Sequence, residues 1–538
     1  MFVPWVSTPA KKLFRSRQAV RAPGGDLLDV TGNGKAGGRA FPRRGSILLA
    51  IVSGGAFLVS FDGAAVAVAL PSISRSLDLG YAQALWIPTL YLLVVAGLLL
   101  PAGRSADRLG RMTHHAVGLG LFCLGSIAAG FAVDERWLYI GRCCQGVGGA
   151  LIVTTSAALA VAVSAPERRG RALGFNTMCV YLGAAAGPAL GGLLVTVLGW
   201  RSIFLLGVVA AALLLAAICI SGVASRAGLN DGDRDTAKAN VAGSVTFAVA
   251  IAALLLLLTF GPVWGWGSWR THVTAAVAGA GLVLAALREL RGARPMVDHE
   301  LYRENRLFVA ACTAALLVYV GIFAAGLLTA IDLQVVQGIG AGVTGLILLT
   351  QPVTMAILAP LAGRWYDHIG SRGLTTIGAV TMALGALVLA TMGPAGSWPR
   401  AAAGLAVIGL GLGLFSTPNI SAVLGSVSPT RLSAASAVLG TNRFLGQALS
   451  VSILGSIAAS SLSGSGGESL SAQIAATGEA AAFHDGFRWA MAVGAGIALM
   501  AALVSSRRGP HNATRLLEAR TDRRSAATPR PRSRTSST

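Results

Sequence analysis

An acidic residue inside a long apolar stretch is the first place in this sequence where chemistry is expected. Asp62 lies about two-thirds of the way along the apolar segment 45–70. Because a charge is costly to bury in a membrane, such a residue usually carries a function. A buried carboxyl group can gain or lose a proton when its surroundings change. We therefore expect Asp62 to bind a coupling proton. The alternative is a neutral or salt-bridged aspartate that only orients its helix.

An arginine in another apolar segment, 138–163, is a candidate partner for such a carboxylate. Arg142 keeps its proton under ordinary conditions, so it would stabilise a nearby ionised carboxylate or relay polar contacts. Gln145 supplies a second hydrogen-bonding group three residues later. The alternative for Arg142 is an anchor at the end of its helix.

Polar and aromatic side chains in other apolar segments are candidates for a substrate cavity. Asp332 directly follows the apolar segment 307–331. It could be a second proton or cation site, but we interpret it as an interfacial residue that reaches water. Arg443 lies one turn before Gln447 and would either contact anionic groups of a substrate or pack near one membrane surface. The six cavity candidates are Trp86, Tyr91, Tyr319, Phe323, Asp332 and Arg443.

The remaining reactive side chains form no catalytic or metal-binding pattern. The six cysteines lie in apolar segments without the spacing of metal ligands, so packing roles are expected. The seven histidines lie at span ends, in loops or in a tail, and none is predicted to relay protons within the membrane. No phosphate-binding loop and no Ser-His-Asp or paired-carboxylate pattern occurs. We expect neither an enzyme nor a bound cofactor or metal.

Repeated apolar segments must position these residues. Of the 538 residues, 54% are apolar and only 12% are charged. A spanning helix needs about 20 apolar residues, and backbone groups in lipid must be hydrogen-bonded within their own segment. The sequence predicts an all-α polytopic membrane protein with fourteen transmembrane helices at 45–70, 83–102, 113–132, 138–163, 172–197, 201–222, 240–260, 272–290, 307–331, 342–362, 374–392, 401–424, 433–459 and 487–505.

Basic residues are unevenly distributed between the two sets of loops. The loops on one side carry seventeen Arg or Lys residues, against six on the other. Because basic loops stay in the cytoplasm, we predict an inner (plasma) membrane protein with both termini cytoplasmic. The basic tails, 1–44 and 506–538, have no apolar period and are interpreted as disordered. They would contact anionic membrane lipids or remain solvated without a partner; we expect no nucleic acid partner.

An eight-residue pattern occurs twice and indicates an internal repeat. G-R-x-x-D-x-x-G stands at 103–110 and at 363–370, each predicted in a short cytoplasmic loop, eight spans apart. We therefore predict two six-helix pseudo-symmetric halves, 45–222 and 307–505, joined by a two-helix linker with its flanking loops, 223–306. The glycines would permit tight turns and the aspartates would pair with an arginine or a helix N-terminus. The alternative to such a conformational latch is a purely structural turn. The latch residues are Gly103, Asp107, Arg108, Gly110, Arg111, Gly363, Asp367 and Gly370.

Small residues recur in the fifth predicted span. A proline there removes a helical hydrogen bond and bends the helix, and the glycines allow another helix to approach closely. Both features suit a carrier that rocks between two states, whereas ordinary membrane packing is the alternative. The residues are Gly183, Gly187, Pro188, Gly191 and Gly192.

Four motifs, taken in order, resemble the major facilitator superfamily, specifically its fourteen-helix drug:proton antiporter branch. They are the loop at 103–111, the fourth-span motif at 142–150, the fifth-span motif at 183–192 and the first-span motif at 62–71. The resemblance runs from about Gly45 to Ser505. It implies that Arg142 supports proton coupling and that the small residues of the fifth span serve export. The chain departs from the branch at Ala64 and Ala67, where Thr and Asn are usual.

These residues and this resemblance together lead to one expected function. We expect a monomeric secondary active transporter that exports small, mostly apolar or cationic compounds, such as drugs and antibiotics, from the cytoplasm in exchange for protons. One alternative is a dedicated exporter of a single metabolite, such as an antibiotic or a siderophore. A second is a membrane sensor that transports nothing.

Overall fold

The computed structural model describes residues 43–164, 169–221, 241–291, 305–393, 398–427, 432–460 and 479–508, and within these ranges the chain is almost entirely helical. One short segment, Asp332–Val336, is a π-helix. The described residues form fourteen α-helices: α1 (Arg43–Leu77), α2 (Tyr81–Leu109), α3 (Arg111–Gly130), α4 (Glu135–Ala162), α5 (Arg169–Leu198), α6 (Arg201–Ser221), α7 (Val241–Trp264), α8 (Trp269–Arg291), α9 (Arg306–Ile331), α10 (Ala341–Ile369), α11 (Ser371–Ala390), α12 (Trp398–Gly425), α13 (Leu432–Ala459) and α14 (Glu479–Ser506).

Twelve helices of the described part are long and apolar enough to cross a membrane. The other two are α7, whose apolar stretch Val245–Gly261 is shorter, and α13. This confirms the predicted all-α polytopic membrane architecture, whereas fourteen spans remain a prediction. The predictions for both tails concern residues that lie almost wholly outside the described ranges.

Local sequence explains where several of these helices begin. Before α4, the Asp134 carboxylate accepts a hydrogen bond from the Trp137 backbone N–H at 2.9 Å. Before α9, Asn305 accepts one from Phe308 N–H at the same distance. Both side chains satisfy an N–H group that has no partner within the first turn of a helix.

The helices pack in pairs that recur after a shift of eight. Helix α5 packs on α1, α4 on α2, and α3 on both α4 and α6. In the same way, α13 packs on α9, α12 on α10, and α11 on both α12 and α14. Two further pairs, α2 with α13 and α5 with α10, join the first six helices to the last six. Helices α7 and α8 pack on each other, and α7 also contacts α2 and α13.

The two copies of the repeated pattern are mostly helical, which corrects their predicted placement in loops. Each copy forms the end of a long helix, and only its last glycine turns the chain. Gly110 has φ 95° and Gly370 has φ 79°, a region that favours glycine because it has no Cβ atom. Gly103 and Gly363 lie inside α2 and α10 instead. The predicted tight turn therefore requires only the second glycine of each copy.

Candidate functional site

A buried ion pair joins the middle of α1 to the first third of α4. Arg142 Nη1 lies 2.6 Å from Asp62 Oδ2 and also donates to Gln145 Oε1 at 2.8 Å. Gln145 Nε2 donates to the other carboxylate oxygen, Oδ1, at 3.1 Å. All three side chains are buried. The structure thus brings together the three residues selected from the sequence for proton coupling, and both oxygens of Asp62 accept hydrogen bonds. We call these three residues the first cluster.

Two neighbouring helices hold the first cluster in place. Arg142 Nε donates to the carbonyl oxygen of Ile87 on α2 at 3.1 Å. Gln145 Nε2 also contacts Ser126 Oγ on α3 at 2.9 Å. The guanidinium lies over the ring of Tyr91, 4.5 Å from its centroid. Sequence reasoning did not select Ser126, although a serine in an apolar helix was a visible signal.

Glycines beside Arg142 allow this close convergence of helices. A Cβ atom at Gly141 would lie 2.7 Å from the backbone nitrogen of Ala129 on α3, and one at Gly146 would lie 2.8 Å from Val94 on α2. Both distances are too short for a real side chain. Because α4 can approach α2 and α3 at once, Arg142 reaches α2 while Gln145 reaches α3.

A cavity of about 260 Å³ lies against the first cluster. It is lined by residues of α1, α2, α4 and α5 and by residues of α9, α10, α12 and α13. Four of the six predicted cavity residues are among them. These are Tyr91, Tyr319, Phe323 and Arg443.

The charged side chains of the cavity wall are two arginines. Arg142 and Arg443 line the cavity, and no Asp or Glu of the described residues does. Arg443 lies 4.6 Å from the ring centroid of Phe444, and its Nε is buried without a hydrogen-bond partner. One Arg142 nitrogen, Nη2, is also buried and unpartnered. Since Asp62 balances Arg142, the wall carries one uncompensated positive charge, that of Arg443.

Two predicted cavity residues are not part of this wall. Trp86 is buried and stacks on Phe260 of α7, with the ring centroids 5.8 Å apart. It faces α7 because α2 packs there. Asp332 is completely buried, so its interpretation as an interfacial residue that reaches water was wrong.

Asp332 belongs to a second cluster, which we define as Asp332, Gln337 and His484. His484 Nδ1 lies 3.0 Å from Asp332 Oδ1, and Gln337 Nε2 donates to Asp332 Oδ2 at 2.7 Å. The other ring nitrogen of His484, Nε2, lies 2.7 Å from the carbonyl oxygen of Met392. The sequence placed His484 outside the last span, which was predicted to begin at residue 487. In the structure α14 begins at Glu479, so this histidine is buried inside the bundle.

The small residues of α5 face two different helices. A Cβ atom at Gly187 would lie 2.5 Å from the Cβ of Ala64, and one at Gly191 would lie 2.9 Å from that of Ala65. Gly183 also faces α1, through the carbonyl of Phe57. On the other side of α5, Gly192 faces the carbonyl of Ala341 on α10.

Pro188 completes the contact between α5 and α10. A Cβ atom at Gly345 of α10 would collide with the Pro188 carbonyl. Pro188 also lines the cavity. The predicted close packing of α5 therefore involves α1 on one face and α10 on the other.

Of the predicted latch, the structure describes the backbone, the glycines and Arg111. The side chains of Asp107, Arg108 and Asp367 lie outside the described part, so their pairing stays a prediction. Gly103 has open space where a Cβ atom would be. Arg111 begins α3, directly after the turn at Gly110. Among the residues that the structure describes, no three His, Cys, Asp or Glu side chains are grouped as metal ligands would be.

Comparisons with known proteins agree with this architecture. The sequence model of the Major Facilitator Superfamily matches residues 52–451. Multidrug resistance protein Stp of Mycobacterium tuberculosis is 34% identical over 425 residues, which cover 78% of this chain and 77% of Stp. The methylenomycin A resistance protein of Streptomyces coelicolor is 31% identical over 444 residues, covering 81% of this chain and 89% of that protein.

Solved structures support the fold alone. A crystal structure of the peptide transporter POT in complex with sulfate matches with a TM-score of 0.62 at 17% identity, covering 88% of this chain and 97% of that chain. An inward-facing bacterial homologue of the human lysosomal transporter Spinster matches with a TM-score of 0.60, also at 17% identity, covering 89% of this chain and 99% of that chain.

Proposed function

Because this chain belongs to the Major Facilitator Superfamily and is a multi-pass membrane transporter, we propose that it exports small, mostly apolar compounds in exchange for protons. The observation that carries the proposal is the first cluster, a buried carboxylate and guanidinium beside a cavity between two groups of helices. A buried ionisable group in a membrane protein is costly unless it serves a function such as proton coupling.

The helix packing supports two halves related by pseudo-symmetry. The first half is α1–α6 and the second is α9–α14, with α7 and α8 as the linker. The cavity is lined by the first, second, fourth and fifth helices of each half. Two helix pairs join the halves, α2 with α13 and α5 with α10. The helices α2 and α5 of the first half correspond to α10 and α13 of the second, so each pair is the pseudo-symmetric counterpart of the other. A cavity at such an interface suits alternating access, in which the halves rock around a central site.

Proton binding at Asp62 would change what the cavity wall offers. While Asp62 is ionised, it neutralises Arg142 across 2.6 Å. A proton on Asp62 removes this partner, and the guanidinium cannot lose its own charge. Arg142 then faces the cavity as an uncompensated cation, which disfavours an apolar compound at that position. The compound and the proton therefore exclude each other, as exchange requires.

The charges of the cavity wall also bear on the substrate. Arg443 adds a cation that no described carboxylate in the wall balances. An uncharged apolar compound fits this wall better than a cation does, because like charges repel. Cationic drugs, which we also expected from the sequence, are therefore the less favoured substrates. The rings of Tyr91, Tyr319 and Phe323 supply apolar surface for such a compound.

A second candidate is a dedicated exporter of one metabolite. The relative from Streptomyces coelicolor is called a methylenomycin A resistance protein, and one from Streptomyces glaucescens a tetracenomycin C resistance and export protein. Both names refer to a single antibiotic. A narrow substrate range would favour this candidate over broad drug export.

The orientation belongs to the same proposal. The excess of basic residues in one set of loops supports cytoplasmic termini in a bacterial plasma membrane. The C-terminal ends of α1, α5 and α9 then lie at the outer surface. The latch, with Asp107 and Asp367, would close the inner surface.

Transport in proteoliposomes tests the proposal. We would measure the uphill movement of an uncharged dye, Nile red, and of the cation ethidium, driven by an imposed pH gradient with and without a protonophore. We expect movement of the uncharged dye that stops with the protonophore. One proton moving down a gradient of one pH unit supplies about 1.4 kcal/mol, which sustains a dye gradient of roughly tenfold.

Three other outcomes would count against it. Movement that persists with the protonophore would exclude proton coupling. Transport of one antibiotic from a wider panel, with neither dye moved, would favour the dedicated exporter. A folded protein that moves no compound in the panel would favour a membrane sensor.

A further inference from the structure

The second cluster lies at the end of the bundle that contains the C-terminus of α9. Asp332 begins the π-helical segment that follows α9, and its side chain is completely buried. His484 lies on α14 and is also buried. The first cluster uses neither residue, and the cavity wall does not include them. Two titratable side chains in contact inside the bundle therefore have no role in the mechanism above.

Hydrogen-bond polarity determines how many protons this pair holds. The Met392 carbonyl can only accept a hydrogen bond, so Nε2 of His484 must carry a proton to donate across 2.7 Å. A neutral imidazole has one N–H group, which leaves Nδ1 with a lone pair. That lone pair cannot face an ionised Asp332 oxygen at 3.0 Å without repulsion. One additional proton must therefore lie between the two side chains, on the carboxyl group or on the imidazole.

The C-terminal end of α11 favours the positive charge of this proton. Arg488 Nε donates to the Ala390 carbonyl and Arg400 Nη1 to the Thr391 carbonyl, each at 3.0 Å. His484 contacts the carbonyl of Met392, two residues after Ala390. The last carbonyls of a helix carry partial negative charge and attract cations. The imidazolium form of His484 is thus stabilised by Asp332 and by the Met392 carbonyl, whereas the guanidinium of Arg488 repels it.

The other ionisable groups around the pair are few. On the described elements packed here, Asp485 and Arg488 of α14 and Arg400 of α12 are exposed, and they are screened by water. Tyr81 of α2 is buried, contacts Phe483 and donates to the Gly455 carbonyl. None of these groups can replace the proton between Asp332 and His484.

The pair is connected to a contact between the two groups of helices. Gln334 lies two residues after Asp332 in the same π-helical segment, and its Nε2 donates to the Val68 carbonyl of α1 at 2.9 Å. Leu333, between them, is completely buried. A change at Asp332 would therefore be transmitted to this contact over two residues.

We propose that Asp332 and His484 form a second proton-binding site, which closes this end of the transporter when protonated. This inference rests on the proposed proton-coupled transport. When the proton leaves to water, the pair changes from zero net charge to one negative charge, and the Nδ1 lone pair faces the carboxylate. The repulsion opens the pair, and the π-helical segment releases α1. On the proposed orientation this end faces the outside, where protons enter.

Spin-label distances in nanodiscs test this site without substrate or gradient. Labels are placed on cysteines at Leu198 and Trp398, which are exposed at this end on α5 and α12, after the six native cysteines are replaced. Histidine titrates between about pH 5.5 and pH 8.5. As the pH rises through this range, we expect the population with a short distance between the two labels to fall. One proton changes the population ratio by up to about tenfold per pH unit.

Two variants separate the pair from its surroundings. In Asp332→Asn the amide donates to the neutral imidazole, so we expect the short distance at both pH values. In His484→Gln no titratable partner of Asp332 remains. We therefore expect the ratio of short-distance to long-distance populations to change less than about twofold over the pH range in which the wild-type protein titrates fully. His272→Gln is the matched control, because His272 is an exposed histidine on α8; it should keep the wild-type pH dependence.

The outcomes distinguish this site from the proposed transport function. If Asp332→Asn and His484→Gln both retain the wild-type pH dependence, the second proton site is excluded. If Asp62→Asn abolishes the pH dependence, the first cluster is the sensor and the proposal fails. Because no substrate is used, a pH response that depends on Asp332 and His484 stands even if the chain exports nothing. Size-exclusion chromatography checks that each variant is folded. If only one of the two variants folds, the pH dependence of that variant alone decides whether the second proton site exists.

Discussion

The two buried clusters have the same kind of acid but different cations. Asp62 is paired with Arg142, and Asp332 with His484. A glutamine donates to the other oxygen in each case, Gln145 in the first and Gln337 in the second. Arginine never releases its proton in a protein, whereas histidine does so near neutral pH.

This difference determines how each acid can respond to a proton. Asp62 can be protonated only when Arg142 loses its partner, so proton binding must change the cavity wall. On our proposal, Asp332 shares a proton with a base that can itself be neutral, so this pair can release its proton without leaving a permanent cation behind. The first cluster is therefore suited to exchange with a substrate and the second to sensing pH.

Removal of the first acid should have the largest effect. In Asp62→Asn the side chain can no longer take up or release a proton, so we expect the pH-driven gradient of the uncharged dye to fall from up to roughly tenfold per pH unit to none. Exchange of dye down its own gradient should also slow, because Arg142 then lacks an anionic partner, as it does when Asp62 is protonated. Both are measured in proteoliposomes. Asp485→Asn, at an exposed acid on α14, is the control and should transport normally. A driven gradient in folded Asp62→Asn would contradict the role of the first cluster.

Keeping the charge but changing its geometry should have the next largest effect. Arg142 contacts Asp62, Gln145 and the Ile87 carbonyl through two nitrogens. Lysine carries its three N–H donors on one nitrogen, which cannot occupy the positions of both Nη1 and Nε, so at least one contact is lost. We expect Arg142→Lys to slow driven export by roughly ten- to hundredfold, since one hydrogen bond to a charged group contributes about 1.5–3 kcal/mol. Initial rates measure this. A rate equal to wild type would mean that charge alone is sufficient.

The next largest effect should come from giving the second cluster a permanent cation like that of the first. In His484→Arg the cation paired with Asp332 becomes permanent. We expect a severalfold slower export rate, because this end of the transporter opens less often, and a rate that no longer varies with pH through this pair. Initial rates across about pH 5.5 to 8.5 measure both effects. An unchanged pH profile would exclude a titrating role for His484.

The smallest effect should come from the unbalanced cation in the cavity wall. Arg443→Gln removes the positive charge that no described carboxylate of the wall balances. We expect ethidium transport to rise a few-fold relative to Nile red, within the roughly tenfold range of a partly solvated charge. The ratio of the two rates is the measurement. If both dyes respond equally, Arg443 does not influence the charge of the substrate.

Much of the first cluster could be predicted from the sequence. Asp62 and Arg142 stand out because charges are rare in apolar segments. Gln145 was selected because it lies three residues after Arg142, about one helical turn away. Ser126 could not be selected, since serine is common in membrane helices and only the packing of α3 on α4 gives it a partner. Trp86 was assigned to the cavity, but α7 covers that side of α2. The sequence does not show which neighbouring helix each side of α2 contacts.

The second cluster could not be predicted, for two physical reasons. The polar residues before 487 lowered the apparent apolarity of α14, so its first turns were left out of the predicted span. Asp332 was assigned to the membrane surface because the apolar segment ends there. In the structure, Gln337 and His484 surround it, and they are 5 and 152 residues away along the chain.

The sequence by itself determined the all-helical membrane architecture, the positions of most helices and the identity of the first ion pair. These follow from local properties: apolar length, the cost of a buried charge and the backbone freedom of Gly110 and Gly370. Which side chains form each cluster and which line the cavity could be read from the tertiary structure alone. Those contacts join helices distant in sequence, and their geometry depends on how closely the helices pack.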